Sequence, residues 1–333
     1  MSSLIDSYGR VHRDLRVSLT DRCSLRCTYC MPHDFAAWLP SEDLLTTDEL
    51  IRIIEAAVSQ GIEEIRLTGG EPLLRPDIVE IVSRINQISQ PPKLSMTTNG
   101  LALAKLAQPL VDAGLERINI SLDTLQRERF KTLTFRDRIH DVFEGIAAAK
   151  AAGLTPVKIN SVLMRGINDD EALDLLDWAL AEGVNLRFIE QMPLDAGGLW
   201  SRKDLITADE IFTQLSSKYS LTPVENRGSA PAEEFYIDGS DATVGIIGSV
   251  TRSFCGSCDR VRLTSDGQIR NCLFSMSETD LRSIVRNSEL SEAERDDRLH
   301  AAFVSTVAAK LPGHGINEPN FIQPVRPMSA IGG

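Results

Sequence analysis

Residues 15–32 read LRVSLTDRCSLRCTYCMP and contain three cysteines, Cys23, Cys27 and Cys30, in the spacing C-x3-C-x2-C. Residues 15–19 alternate between apolar and polar side chains, which predicts a β-strand that leads directly into the cysteines. Thiolates are the ligands of iron–sulfur clusters, zinc and Cu(I). The stretch therefore predicts a metal-binding loop at the end of a strand, and the fold is organised around it.

The kind of metal depends on a fourth ligand. A [4Fe–4S] cluster held by three cysteines keeps one iron open to a small molecule, whereas structural zinc normally takes four protein ligands. Only His12 and His33 lie near enough in sequence to complete a zinc site. An open cluster and a Cys3His zinc site are thus the two interpretations of this loop.

Composition limits the class of protein. The 333 residues and 42% hydrophobic content predict two domains or one barrel-sized domain with an extension. We expect no membrane span and no signal peptide, so the expected location is the cytoplasm, where six cysteines indicate metal binding or catalysis rather than disulfides. A net charge of −12 argues against a nucleic-acid partner but allows a local cationic pocket for an anionic ligand.

Strands and helices are predicted to alternate along the first two thirds of the chain. After the strand at 15–19, strands are expected at 64–68, 93–98, 117–122, 157–163 and 186–190, with helices at 47–60, 78–88, 103–113, 141–152 and 169–182. This alternation predicts an α/β fold with a parallel sheet, built as a partial (β/α)6 TIM-like barrel. Charged residues are expected near the carboxyl ends of these strands, where barrel active sites lie: Arg66, Asp123, Lys158 and Arg187.

A Gly/Ser/Pro-rich segment at 226–232 predicts a boundary, with residues 1–225 forming the barrel and 226–333 a C-terminal α+β extension. A helix is also expected at 207–218, before this boundary. The extension is expected to contain short strands, a solvated helical stretch at 277–297 and a helix at 301–310. Residues 312–333 lack periodicity and are expected to be extended or mobile.

Cys255, Cys258 and Cys272 form a second triplet, C-x2-C-x13-C. A zinc site here would need His300 or His314 as the fourth ligand, each distant in sequence from the triplet. Because both triplets have three cysteines, a second open [4Fe–4S] cluster is the favoured interpretation.

The motifs together resemble the radical S-adenosylmethionine (SAM) superfamily, and within it the GTP 3′,8-cyclase family of molybdenum cofactor biosynthesis. The matching stretches are TDRC with YCMP, RLTGGEP, TTNG, NISLD, VKIN, RFIEQM, FCGSCDRVRL and the terminal Gly332-Gly333. The resemblance implies a radical SAM barrel whose extension carries the second cluster. It implies that SAM is cleaved at the first cluster and that the resulting radical takes hydrogen from C3′ of GTP. C3′ then bonds to C8 of the guanine, which is held at the second cluster.

The resemblance also assigns residues. It implies that Tyr29, Gly70, Ser121 and Met192 contact SAM, and that the terminal Gly332 and Gly333 reach the active site and are needed for activity. It implies GTP contacts for six residues. These are Arg16, Arg66, Thr97, Lys158, Arg260 and Arg262. Guanidinium groups suit a triphosphate because they bind phosphate oxygens in pairs, and Arg260 and Arg262 alternate on one predicted strand and so share a face.

The expected partners are GTP, SAM, an external electron donor and the next enzyme of the pathway, cyclic pyranopterin monophosphate synthase. The family suggests a homodimer. The alternatives are another radical SAM enzyme with an auxiliary cluster, or a non-catalytic iron–sulfur redox sensor. A sensor would not need the GGEP turn or the cationic set.

Overall fold

A computed structural model describes residues 3–31, 38–195, 197–198 and 200–332. The strands are β1 (Asp14–Ser18), β2 (Glu64–Thr68), β3 (Lys93–Thr98), β4 (Arg117–Ser121), β5 (Lys158–Leu163), β6 (Asn185–Glu190), β7 (Leu221–Pro223), β8 (Glu233–Ile237), β9 (Thr243–Ile247), β10 (Arg260–Leu263), β11 (Gln268–Arg270) and β12 (Thr279–Asp280). The helices are α1 (Thr47–Ser59), α2 (Ile78–Asn86), α3 (Leu103–Asp112), α4 (Arg127–Thr134), α5 (Ile139–Ala151), α6 (Ala172–Glu182), α7 (Ala208–Ser216), α8 (Arg282–Arg286), α9 (Glu292–Ala308) and α10 (Met328–Ile331).

All strands belong to one sheet, in the order β12-β11-β10-β1-β2-β3-β4-β5-β6-β9-β8-β7. Strands β1 to β6 pair in parallel in chain order, so the predicted partial (β/α)6 barrel is confirmed. The C-terminal part of the chain extends both edges, because β10 pairs in parallel with β1 and β9 pairs in parallel with β6. The boundary at residues 225 and 226 stays a prediction, since strands from beyond it complete the same sheet.

The barrel strands alternate between an apolar and a polar face. Leu15, Val17, Ile65 and Leu67 are fully buried in the main core, which also contains the apolar faces of the helices. The intervening positions face the other side and are polar or charged, and the register places Arg16 of β1 beside positions of the same kind on β2 and β10. Strands of a parallel sheet buried between helices are usually apolar on both faces. The alternation therefore shows that the inner face of this barrel is a polar interior.

Local capping explains where α1 begins. Thr46 accepts a hydrogen bond from the Glu49 amide, and the Glu49 side chain accepts one from the Thr46 amide, so the two residues form a capping box. The helix predicted from Thr47 did not include this capping box, because the N-cap residue, Thr46, lies one residue before the predicted start.

Three sequence predictions differ from the structure. Helix α4 was not predicted, because only Phe130 and Leu133 are large apolar residues within it. The acidic stretch 277–297 is not one helix: β12 and α8 precede α9, whose N-cap is Ser291. The tail is packed rather than mobile at its end, since Ile331 is fully buried in a small second core with Leu194, Phe274 and other apolar residues.

Candidate active site

The turn after β2 is joined to the first cysteine loop by backbone contacts. The Gly70 amide donates to the Thr20 carbonyl at 2.7 Å, and the Glu71 amide donates to the Arg22 carbonyl at 2.8 Å. A Cβ atom on Gly70 would collide with the carbonyl oxygens of Asp21 and Arg22. Glycine is therefore required here by the close approach of two backbones, and the turn fixes the start of the loop that contains Cys23.

Two buried carboxylates, those of Glu71 and Asp123, hold residues around the first cysteine loop in place. Glu71 accepts hydrogen bonds from the Thr98 hydroxyl at 2.6 Å and the Asn99 amide at 2.7 Å, and burial raises its pKa to about 7. Asp123 accepts a hydrogen bond from the Tyr29 hydroxyl and another from the Val162 amide, both at 2.8 Å, and burial raises its pKa to about 6. The Tyr29 side chain, which lies between the second and third cysteines in the sequence, is thus hydrogen-bonded to Asp123 just beyond the end of β4.

A cavity of about 250 Å³ brings together the first triplet and the residues expected to contact SAM. Its lining includes all three cysteines of the loop and the four predicted SAM residues, which are Tyr29, Gly70, Ser121 and Met192. Thr97 and Arg262 from the predicted GTP set line it as well. Residues near or after the ends of all six barrel strands, β1 to β6, therefore meet at one place, as expected for the carboxyl face of a barrel.

The second triplet lies next to this cavity. Cys255, Cys258 and Cys272 line a smaller cavity of about 70 Å³ together with Arg260. Met192, Arg262 and Leu273 line both cavities, so the two triplets face adjoining spaces. A larger depression of about 690 Å³ also borders the second triplet. The exposed side chains of Met276 and Ile322 line this depression, which connects the second triplet to solvent.

The donors fit clusters better than single ions. Within the described ranges, no three His, Cys, Asp or Glu side chains are arranged to hold one metal ion. Cysteines that bind different irons of a cluster need not converge on one point. His33 lies outside the described residues, and His12 is not at the first triplet, because its Nε2 lies 3.1 Å from Asp6 and its Nδ1 3.5 Å from Lys310.

His314 corrects an expectation from the sequence. It is not distant from the second triplet but lies beside Cys255, where it opposes the effect of burial and helps to lower the pKa of that thiol to about 7. Its Nδ1 accepts from the Ile316 amide at 3.1 Å, which leaves Nε2 to donate to the Ser249 carbonyl at 2.9 Å. Both ring nitrogens are occupied, so His314 does not present a free ligand for zinc.

The inner face of the barrel carries a cluster of cations, which we call the cationic interior. Its members are Arg16, Arg66, Lys158, Arg187, Arg260 and Arg262. The carboxylate of Asp14 lies among them, 3.1 Å from Arg16 and 3.7 Å from Arg260. The Nε atoms of Arg66, Arg187 and Arg260 are buried and have no hydrogen-bond partner among the described residues.

Burial and mutual repulsion disfavour these charges. Burial lowers the pKa of Arg262 to about 9 and that of Arg187 to about 10, and neighbouring arginines add to the shift at both. The pKa of Lys158 is lowered by burial and by Arg187. Burying several cationic donors without hydrogen-bond partners lowers the stability of the folded protein. A bound anionic ligand would offset that loss.

The position of Lys158 corrects another expectation. It begins β5 and so lies at the amino end of its strand, whereas Arg66 and Arg187 lie in the middle of theirs. The cationic interior therefore extends below the carboxyl face into the barrel. Asp123 follows β4 by two residues, as expected.

Sequence reasoning missed Asn119, and it expected Arg187 at the active face without giving it a role in binding. Arg187 donates to Asn119 Oδ1 at 2.8 Å, and Asn119 donates to Thr97 at 3.3 Å. These bonds join β6, β4 and β3 across the inner face. The period-2 pattern of β4 and β6 could have revealed both residues, because they occupy the polar alternate positions.

The end of the tail enters the same space. The Gly332 carbonyl accepts a hydrogen bond from Arg262, and Ser18 and Thr68 lie so close that a Cβ on Gly332 would stand 2.9 Å from a carbon of each. The backbone of Gly332 has a φ of +88°, which glycine adopts readily. The expected role of Gly333 falls outside the described residues.

The sequence matches the signatures of two families. Residues 17–179 match the Radical SAM superfamily, and residues 184–316 match Molybdenum Cofactor Synthesis C. With the parallel sheet and the cysteine loop at the end of β1, these matches define the class of the protein as a radical SAM protein with a molybdenum cofactor synthesis extension.

Similar proteins narrow the class. The chain is 57% identical to "GTP 3′,8-cyclase" of Streptomyces coelicolor over 99% of this chain and 96% of that protein. It is 50% identical to "GTP 3′,8-cyclase 2" of Mycobacterium tuberculosis over 99% of this chain and 92% of that protein. The chain belongs to the GTP 3′,8-cyclase family of the radical SAM superfamily.

Solved structures agree on the fold. Streptococcus suis SuiB bound to S-adenosylmethionine superposes with a TM-score of 0.59 at 14% identity, covering 89% of this chain and 69% of that one. This likeness concerns the radical SAM fold alone. Among the described residues, no helix has the length and apolar character needed to cross a membrane.

Proposed function

We propose that this protein is a radical SAM GTP 3′,8-cyclase. It converts GTP to (8S)-3′,8-cyclo-7,8-dihydroguanosine 5′-triphosphate in the first step of molybdenum cofactor biosynthesis. The names of relatives that share half or more of its residues support this function. The observation that carries it is the cationic interior, which extends into the barrel beside the two cysteine triplets.

The cationic interior would bind the triphosphate. A nucleoside triphosphate carries about four negative charges, and its oxygens accept paired hydrogen bonds from guanidinium groups. The unpartnered donors of Arg66, Arg187 and Arg260 are available for this purpose. Arg16, Thr97, Lys158 and Arg262 complete the proposed GTP site, with Asp14 holding Arg16 in place.

SAM would bind in the neighbouring cavity. The Gly70 amide is already bonded to Thr20, so any contact of this residue with the SAM amino group would use its carbonyl oxygen. Ser121 would contact the ribose, and Tyr29 and Met192 would contact the adenine. Tyr29 is held by Asp123, which fixes the wall of the cavity beside Cys27 and Cys30.

Two [4Fe–4S] clusters are the cofactors. Cys23, Cys27 and Cys30 would hold the first, and Cys255, Cys258 and Cys272 the second. When bound, they would supply the electron that cleaves SAM and an open iron that docks the guanine. The protein would hold both substrates in one water-poor space, so that C3′ of the ribose faces the cleaved SAM.

The tail would complete the site. Gly332 lies against Arg262, which belongs to the proposed GTP set, so the tail and the substrate would share this guanidinium. We propose that Gly332 and Gly333 position GTP for catalysis and are not its main binding residues. The lack of a side chain on Gly332 allows its backbone to approach β1 and β2 closely.

Finer aspects of function rest on the family. We propose a cytoplasmic location, a homodimer and an external electron donor, because reductive cleavage of SAM consumes an electron. We propose that the product passes to cyclic pyranopterin monophosphate synthase, and that no nucleic acid or membrane is involved.

The test is incubation of the anaerobically reconstituted, reduced protein with SAM, with and without GTP. We expect 5′-deoxyadenosine and the cyclised nucleotide only when GTP is present. Deoxyadenosine without any dependence on GTP would favour another radical SAM enzyme. No deoxyadenosine from protein with both clusters would favour the redox sensor.

A further inference from the structure

A buried lysine contacts the second triplet. Lys310 follows the end of α9 and is only 5% exposed. Its ammonium group donates to the Arg260 carbonyl at 2.7 Å and lies 3.5 Å from Cys258 Sγ and 3.3 Å from the Cys258 carbonyl. This geometry places a positive charge directly beside a sulfur that is expected to bind iron.

The lysine is held from the other side by the N-terminal segment. His12 Nδ1 lies 3.5 Å from Lys310 Nζ, and His12 Nε2 lies 3.1 Å from Asp6. Because an ammonium group can only donate, His12 accepts at Nδ1 and donates its Nε2 hydrogen to Asp6. His12 is therefore neutral in this arrangement, and it directs the Lys310 ammonium toward Cys258.

Asp6 serves a second branch of the same network. It accepts from Arg10 Nε at 2.5 Å, and Arg10 donates in turn to the Cys255 carbonyl at 2.7 Å. Residues 6–12 thus reach two of the three cysteines in the second triplet, one through its backbone and one through Lys310. Neither family signature includes residues 6–12, since the first begins at residue 17.

We propose that Lys310, held by His12 and Asp6, is a positioning residue that donates to the Cys258 sulfur and supplies the counter-charge of the second cluster. The proposal rests on the proposed function only in requiring a cluster at this triplet. Hydrogen bonds and charges near the sulfurs set the reduction potential of a cluster and the strength with which it is held. A positive charge favours the reduced, more negative form, so Lys310 raises the potential of the second cluster.

A purely structural role is the alternative. Lys310 also bonds two carbonyl groups, so it could serve only to attach the end of α9 to β10. Loss of such an attachment would lower the unfolding temperature. It would leave the reduction potential and the rate of iron release unchanged, and these two measurements therefore separate the roles.

The experiment uses the full chain with Cys23, Cys27 and Cys30 replaced by alanine, so that only the second cluster is observed. Lys310→Met keeps the aliphatic chain and removes the charge, and Lys310→Gln keeps a donor without charge. Ser7→Ala is the control, because it removes a bond between the N-terminal segment and the Ala308 carbonyl without affecting Lys310. The readouts are iron per chain, the rate of iron loss to a ferrous chelator, and the midpoint potential followed by EPR.

We expect Lys310→Met to lose iron about ten- to a hundred-fold faster than the parent, a typical effect of removing an outer-sphere partner. Its midpoint potential should be lower, Lys310→Gln should be intermediate, and Ser7→Ala should match the parent. If a folded Lys310→Met or Lys310→Gln protein shows an unchanged rate of iron loss and an unchanged midpoint potential, the inference is overturned. The assignment of a cluster to the second triplet would still hold. A parent without iron would instead overturn the cluster assignment, and the inference with it.

Discussion

The two cysteine triplets have opposite electrostatic surroundings. At the first, burial and the negative charges of neighbouring groups raise the pKa of all three thiols, that of Cys23 to about 11 and that of Cys30 to about 12. At the second, burial is outweighed at two positions: the pKa of Cys255 is lowered to about 7, and that of Cys258 is lowered by Lys310 and Arg260. Cys272 alone keeps a pKa raised by burial.

This difference indicates that thiolates arise differently at the two sites. The first triplet has the carboxylates of Glu71 and Asp123 nearby, so its thiolates depend on the positive charge of bound iron. The second triplet has cations and a histidine that stabilise thiolate before any metal binds. The carboxylates at the first site hold the surrounding cavity in shape, and the cations at the second adjoin the proposed triphosphate site.

The largest expected effect separates the roles of the two triplets. Replacing Cys23, Cys27 and Cys30 together with alanine should abolish SAM cleavage and halve the iron content. The matched replacement of Cys255, Cys258 and Cys272 should halve the iron but leave SAM binding measurable by isothermal titration. Iron content and 5′-deoxyadenosine yield are the measurements, and zinc bound stoichiometrically at the second triplet of active protein would contradict the comparison.

The second prediction tests the thiols of the metal-free protein. A pKa below its usual value means that more thiolate is present at neutral pH, and thiolate is the form that alkylates. Cys255 should therefore react with iodoacetamide at pH 7 about a hundred-fold or more faster than Cys30. Raising the pH toward 9 should accelerate Cys30 roughly in proportion to hydroxide while Cys255 levels off. Peptide mass spectrometry gives both alkylation rates. Equal rates at pH 7 would show that the two triplets do not differ in their electrostatic surroundings.

The third prediction concerns the tail. Deleting Gly332 and Gly333 should lower cyclised product about 100-fold, because orientation of the substrate is lost, while both clusters and GTP affinity are retained. Gly332→Ala should act in the same direction, since its Cβ would press on Ser18 and Thr68. Gly313→Ala is the control, because no atom lies within 4 Å of the added carbon.

Single-turnover product formation is the measurement for these tail variants. Full activity in the truncated protein would show that the tail is dispensable. Restoration of activity by a synthetic tail peptide would show that the tail acts by occupying a site.

The smallest expected effect tests the cationic interior between the triplets. The buried Nε of Arg66 has no hydrogen-bond partner among the described residues, and burial together with Arg16 lowers the pKa of Arg66 well below the usual value. Arg66→Gln should therefore leave thermal stability unchanged or raise it, while GTP binding weakens about ten- to a hundred-fold. Arg13→Gln, which removes an exposed arginine beside Glu63, is the control and should change GTP binding little. Equal GTP affinity in both variants would place the triphosphate elsewhere.

Local patterns in the sequence were enough to predict the elements of the barrel and the chemistry of its metal ligands. The predicted strands at 64–68 and 93–98 match β2 and β3 residue for residue, because alternation and flanking glycines are local signals. Cysteine spacing is likewise local, so both triplets were evident without any structure. The family motifs are short and continuous for the same reason.

The contacts between residues distant in sequence could be found only in the folded chain. The pairing of β10 with β1 brings Arg260 beside Asp14 and sets the second triplet near the first, and no local pattern encodes that partner. The contact of His12 with Lys310 and the close approach of Gly332 to Ser18 join opposite ends of the chain. Such contacts depend on the closure of the whole sheet and on burial, which fix side chains in space after local propensity has chosen the elements.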